Sequence, residues 1–167
     1  NMVLGLDVST SCVGYAFTKN KKILDMGFID IKKYKTPKEK TFFVLTELAK
    51  SSYIDKIEKI NIEDNLSGFS GGRTSQQVIV KLAKFNAILG FVIEEEFGVE
   101  VENINPNTAR KQVFGKARIK GVPAKEYVKM KIDEKYDTKK WCKTTTRGNW
   151  DKRNIDAYDG LVMSLYE

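Results

Sequence analysis

"MVLGLDVSTSCVGYAFTKNKKILDMGFIDI" occupies residues 2–31, and its punctuation decides the fold. "MVLGLDVS" is a short apolar run ending on a carboxylate, Asp7, which is the pattern of a buried strand. "CVGYAFTKN" and "KKILDMGFIDI" read as a second and a third strand, with the polar cluster at 19–22 as a hairpin turn. A three-stranded meander therefore opens the chain.

The rest alternates helix and strand. Phe42, Phe43, Leu45, Leu48 and Ala49 have helical spacing over about 37–52. "KINIED" is a fourth strand that also ends on carboxylates, and "NLSGFSGG" is a glycine-rich loop. Val78, Leu82, Phe85, Leu89, Val92 and Ile93 mark one stripe of a long amphipathic helix over about 74–97. "VEVENI" is a fifth strand. Asn105 and Pro106 then read as the cap and first residue of a short helix. Further helices are predicted over about 123–136 and from about residue 154. A meander followed by crossover units makes a mixed five-stranded sheet with helices on both faces, the ribonuclease H-like α/β arrangement. Residues 1–167 are expected to form one domain of this kind.

Composition limits the chemistry. The chain has no histidine, so Ser–His–Asp and Cys–His catalysis and imidazole zinc sites are excluded. Cys12 and Cys142 lack metal-ligand spacing and suggest reduced thiols and a cytoplasmic setting. No run of about 18 apolar residues occurs, so no membrane-spanning helix is expected. Charged and glycine residues appear at once, so no secretory leader is expected either. The net charge of +7 is concentrated: residues 110–153 hold 15 Lys and Arg against 5 Asp and Glu, and the remainder is net negative. Such a segment suits a polyanionic partner.

The tail "RNIDAYDGLVMSLYE", 153–167, starts an apolar helix yet carries Asp156 and Asp159 three residues apart, on one face. Functional groups of parallel strands collect at their carboxyl ends. With the first and fourth strands adjacent and parallel, Asp7 and Glu63 would lie side by side. If the last helix crosses the sheet beside them, Asp156 and Asp159 complete a cluster of four. Such a cluster is costly without cations. Oxygen ligands select hard ions, Mg²⁺ or Mn²⁺, and two of them about 4 Å apart serve phosphodiester hydrolysis.

"GLDVSTSCVGYAF", "INIED" and "NIDAYDGLVMSL", in this order and spacing, resemble the RuvC family of Holliday junction resolvases, most nearly its divergent viral and phage branch. The resemblance covers nearly the whole chain. It implies a ribonuclease H-like fold and a homodimer acting on four-way DNA junctions or other branched DNA. It also implies a divalent-metal-dependent endodeoxyribonuclease without a nucleotide cofactor, at work in the cytoplasm, a host cell's if the source is viral. Its metal ligands would fall on Asp7, Glu63, Asp156 and Asp159. The family usually has proline and glycine after the first aspartate; here Val8 and Ser9 follow.

"RKQVFGKARIKGVPAKEYV" resembles the family's phosphate-holding run, with Lys111 and Lys125 at the matching positions. A lysine there could neutralise charge on the scissile phosphate, and Lys125 is assigned a catalytic role. Lys116, Arg118, Lys120 and Arg73 are read as phosphate contacts. Leu66 and Phe69, in the glycine-rich loop, could wedge against unpaired bases. The long helix is the family's usual dimer element; its small residues Ala83, Ala87 and Gly90 permit close approach, and Ile79 and Phe91 lie off its stripe. Two other readings remain. One is a DNA-binding protein of the same fold without catalysis. The other is an actin-like or sugar-kinase-like ATP-using domain, whose first strand "LDVSTS" also resembles; that class needs a second domain.

Overall fold

The computed structural model describes residues 1–64 and 75–167. Its meander is β1 (Met2–Val8), β2 (Cys12–Lys19) and β3 (Lys22–Asp30). Asn20 and Lys21 turn the β2–β3 hairpin with φ of 51° and 62°, the left-handed pair that matches strand twist in a two-residue loop.

Helix α1 (Pro37–Ala49) begins where the Thr36 hydroxyl accepts from the Glu39 amide at 3.1 Å. A 3₁₀ turn at Ile54–Lys56 leads to β4 (Lys59–Glu63). Helix α2 (Gln76–Phe97) is capped by the Ser75 hydroxyl and stopped by Gly98 in the left-handed conformation. Then come β5 (Val101–Ile104), α3 (Pro106–Phe114), α4 (Ala124–Lys135) and α5 (Asn154–Leu165). Asn105 caps α3, accepting from the Asn107 and Thr108 amides, with Pro106 in its first turn.

The strand order is β3-β2-β1-β4-β5, antiparallel through the meander and parallel from β1 to β4 to β5. Side-chain alternation sends Leu4, Leu6, Val8, Ile60 and Ile62 to one face, where Val44 and Leu48 of α1 and Phe85, Leu89 and Ile93 of α2 close the core. Ala16 and Met26 point to the other face, against Ala157, Leu161 and Val162 of α5 and Val128 and Ile132 of α4. The mixed five-stranded sheet with helices on both faces is as expected.

Three details differ from expectation. Phe42, counted into the apolar face of α1, is 73% exposed; Thr41 and Val44, which were not counted, turn inward beside Leu48, which was. Val78, counted into the α2 stripe, is also exposed, because the buried stripe starts only at Phe85. And α2 does have the length and composition to cross a membrane, although Lys81 and Lys84 interrupt its apolar run. Here it lies on the sheet with Phe85, Leu89 and Ile93 fully covered.

Candidate active site

Two strand ends set the first pair of carboxylates. β1 and β4 run parallel with Leu6 opposite Ile62, so the next residues, Asp7 and Glu63, are neighbours across the ladder. Alternation turns both away from the face bearing Leu6 and Ile62 and toward α5. The end of β4 is fixed from both sides. Glu63 pairs with Ile104 of β5, and the Asn86 side chain of α2 donates to the Glu63 carbonyl at 3.3 Å.

Glycines let α5 reach this corner. A Cβ on Gly14 of β2 would overlap the carbonyl of Asp156, and one on Gly5 of β1 would overlap the backbone of Gly160 and Ser164. Gly160 of α5 returns the favour, lying against the backbone of Gly14 and Tyr15. At the far end, Asn61 of β4 donates to the carbonyls of Met163 and Tyr166 at 2.9 and 3.2 Å. The helix is thus clamped flat across β1, β2 and β4. Its first turn delivers Asp156 and Asp159 to Asp7: carboxylate oxygens of these three all lie within 4.8 Å of one another.

The electrostatics follow from that crowding. Burial, then the neighbouring Glu63 carboxyl and the charge of Asp156, push Asp7 well above the usual carboxylate range. Burial, then the charge of Asp7, does the same to Asp159. Glu63 is raised mainly by burial. Without a cation, this corner holds negative charge poorly. Its donors are all hard oxygens converging from two strands and one helix, which fits a hard divalent ion and not a soft one.

Among the described residues, two cations face the cluster. Lys125, in the first turn of α4, sets its ammonium 3.4 Å from Asp156 Oδ1 and 3.9 Å from Asp159 Oδ2. Partial burial lowers its pKa, but the charges of Asp159, Asp156 and Asp7 outweigh this and hold it above the ordinary lysine value. Val128 and Ile132 pack α4 against α5 and so aim Lys125 at the site.

The second cation is Arg110, the neighbour of the Lys111 to which the family resemblance points. Its guanidinium lies 3.9 Å from Glu63 Oε1, and its side chain is only 14% exposed. Lys111 is exposed and makes no ion pair with any of the four acids among the described residues. The signal was present in the spacing. Ala109 and Val113 form the inner face of α3, and Arg110 borders that face whereas Lys111 turns away from it.

Lys116, Arg118 and Lys120 are all exposed on the connection between α3 and α4. The Tyr127 hydroxyl ties this connection to α4 by donating to the Lys116 carbonyl at 2.6 Å. Leu66, Phe69 and Arg73 lie outside the described residues. Cys12 is buried beside Asp156; burial, then that carboxylate, hold its thiol protonated.

No protein-family model and no curated protein sequence matches the chain. Solved structures do. Thermus thermophilus RuvC superposes with a TM-score of 0.65 at 13% identity, covering 99% of this chain and 92% of that one. T. thermophilus RuvC in complex with a Holliday junction substrate gives 0.63 at 12% identity, covering 98% and 90%. The chain therefore has the RuvC-type fold, the ribonuclease H-like architecture that its own motifs led one to expect.

Proposed function

We propose that this protein is a divalent-metal-dependent endodeoxyribonuclease that cuts branched DNA, chiefly four-way junctions, as a homodimer in the cytoplasm. The observation that carries the reading is the convergence of Asp7, Asp156 and Asp159 within 4.8 Å, beside Glu63, at the carboxyl ends of two parallel strands of a RuvC-type fold.

Asp7, Glu63, Asp156 and Asp159 would hold two Mg²⁺ or Mn²⁺ ions. Ions bound there would supply an activated water and neutralise charge on the scissile phosphate. The chain's own groups do the rest. Arg110 neutralises part of the Glu63 charge and fixes its carboxylate at the β4 end. Lys125 stays protonated beside the two helix aspartates and, exposed as it is, can turn to a phosphate oxygen as negative charge builds on it. Lys116, Arg118 and Lys120 would hold the flanking backbone without reading sequence. Residues 110–153, which carry the chain's positive excess, supply the long-range attraction for DNA.

The decisive experiment compares cleavage of synthetic four-way junction, flap, fork and duplex DNA, with Mg²⁺, with Mn²⁺ and with chelator. Paired nicks near the branch point, dependent on metal, are expected. Equal cutting of all substrates, or none of any, refutes the assignment.

A further inference from the structure

Residues 138–150, "TKKWCKTTTRGNW", join α4 to α5 and form an element of their own. Thr144 and Trp150 pair as an antiparallel bridge. The Thr145 amide donates to the Asn149 carbonyl at 2.7 Å, and the Gly148 amide donates to the Thr145 carbonyl at 2.9 Å. Gly148 has φ of 82°, which lets the chain reverse there. The result is a small hairpin with Arg147 at its tip.

Its base is bolted to the site. The Lys143 amide donates to Asn154 Oδ1 at 2.9 Å, the Asn154 side chain donates back to the Lys143 carbonyl at 2.8 Å, and the Asp151 amide donates to that same carbonyl at 3.1 Å. The buried Asp151 carboxylate accepts three bonds from Arg153, whose remaining nitrogen reaches Asp30 at 2.8 Å. Asn154 starts α5, two residues before Asp156. The hairpin and the two helix carboxylates of the cluster, Asp156 and Asp159, are therefore joined through the start of α5.

The charge on this element is only partly engaged: Lys140 lies over the Trp141 ring at 5.4 Å and Lys143 over the Phe28 ring at 4.6 Å, and both act on the Asp25 carboxylate. The element holds Lys139, Lys140, Lys143 and Arg147 and no carboxylate. None of the four makes an ion pair among the described residues, whereas Lys129 and Lys131 on nearby α4 pair with Asp133 and Glu134. Around them stand exposed Thr144, Thr145, Thr146 and Asn149, the polar types that accompany cations on a phosphate backbone. The groove beneath the hairpin is lined by Asp133, Glu134 and Asp137 together with Lys129, Lys135, Lys139 and Lys143, so its charges largely offset one another; Lys140 and Arg147 do not line it. Trp150 is no stacking platform. Tyr158 meets its ring edge-on at 6.0 Å and Lys129 sits over it at 5.0 Å, so it anchors the hairpin.

We propose that the hairpin centred on Arg147 grips the phosphate backbone of a duplex arm, through Lys140 and Arg147, and so sets the register of that arm against the carboxylate cluster. This rests on the reading of the chain as a nuclease for branched DNA. Because only backbone is touched, the grip is indifferent to sequence.

The test uses the full chain with Lys140→Ala/Arg147→Ala, and with the charge-keeping Arg147→Lys. Affinity for a synthetic four-way junction is measured across salt concentrations, with single-turnover cutting at saturating protein. The double variant should bind about tenfold or more weakly, for every arm sequence, and lose about two from the slope of log K against log salt. Arg147→Lys should restore most of its share. At saturating protein the cutting rate should fall less than the affinity does, and the cut positions should spread, because the arm is then held without a fixed register. Wild-type affinity and slope in the double variant overturn the hairpin's role while leaving the nuclease reading standing. A wild-type protein that binds no branched DNA overturns both. Both positions are exposed, so an unchanged melting temperature separates lost contacts from lost fold.

Discussion

Gly14 of β2 lies directly under the carbonyl of Asp156, so closely that a single added methyl group would occupy the carbonyl's place. The clash is with backbone, which cannot rotate away. Gly14→Ala must therefore lift the first turn of α5 from the sheet and carry Asp156 away from Asp7. The expected cost is about 1–3 kcal/mol of stability, typical of overpacking. Loss of cutting should be far larger than that cost suggests. Melting temperature and cleavage measured together check this, and a Gly14→Ala enzyme with wild-type cutting would remove the close-approach argument.

The four acids should behave as one unit in catalysis and differently in stability. Asp7→Asn, Glu63→Gln, Asp156→Asn and Asp159→Asn should each abolish cutting and leave junction binding intact, because affinity comes mainly from phosphate contacts. In metal-free protein, Asp7→Asn and Asp159→Asn should raise the melting temperature, since each removes a buried charge from a crowded corner. Retained cleavage in any one variant would take that residue out of the site.

Much of this corner was legible because period and punctuation agreed. The apolar runs ending on Asp7 and Glu63 are strands ending at the carboxyl edge, and the three-residue spacing of Asp156 and Asp159 puts both on one helical face. Choosing between adjacent cations needed finer phase. Arg110 and Lys111 differ by 100° around α3, and only the inward lean of Ala109 and Val113 separates them. Phe42 misled because an aromatic in an amphipathic helix is read as core, while the space above α1 is filled by Thr41 and Val44. The 138–150 hairpin offered no periodicity at all, being held by the Asn154 side chain and the Asp151 backbone amide, which no local pattern announces.

A direct contrast follows for the cations. Lys125→Ala should slow cutting more than it weakens binding, because its charge matters most as charge develops on the phosphate. Arg110→Ala should also cut activity, by freeing Glu63 and leaving its charge less compensated. Lys111→Ala should leave the rate at saturation unchanged and alter only affinity. Steady-state and single-turnover rates for the three variants decide it; equal losses at Arg110 and Lys111 would contradict the geometry.

Metal and protons should compete. Asp7, Asp159 and Glu63 have folded-state pKa values raised above their unfolded ones. At these three groups the folded state then holds more protons than the unfolded, so their contribution to metal-free stability is greatest at low pH. It falls as pH rises from the unfolded carboxylate value, about 4, through the folded values. Asp151 works in the opposite sense: Arg153 holds it low, so its contribution is present above about pH 4 and is lost only on further acidification. Mg²⁺ should therefore raise the melting temperature more at pH 8 than at pH 5. In Asp7→Asn/Asp159→Asn that difference should vanish, and an undiminished difference would mean that the ion binds elsewhere.

Assembly gives the last test. A four-way junction has near two-fold symmetry and is resolved by two cuts in opposed strands, whereas one chain carries one carboxylate cluster. An isologous dimer supplies two clusters with matching symmetry. The chain offers an apolar face for it. Phe91 is 65% exposed on α2, with Val80 and Ile88 also exposed along that helix and Phe42 exposed on neighbouring α1. Lone exposed apolar residues are ordinary, but several large ones on two neighbouring helices are the mark of a contact surface. Phe91→Asp should therefore shift the protein toward monomer in sedimentation, with little change in melting of the separated chain, because Phe91 touches no core. It should convert paired cuts into single nicks. A mixed dimer of wild-type and Asp7→Asn chains should likewise nick each junction once and fail to resolve it. Paired cuts made within one binding event by a protein that sediments strictly as a monomer would refute the dimer and, with it, the role given to this face.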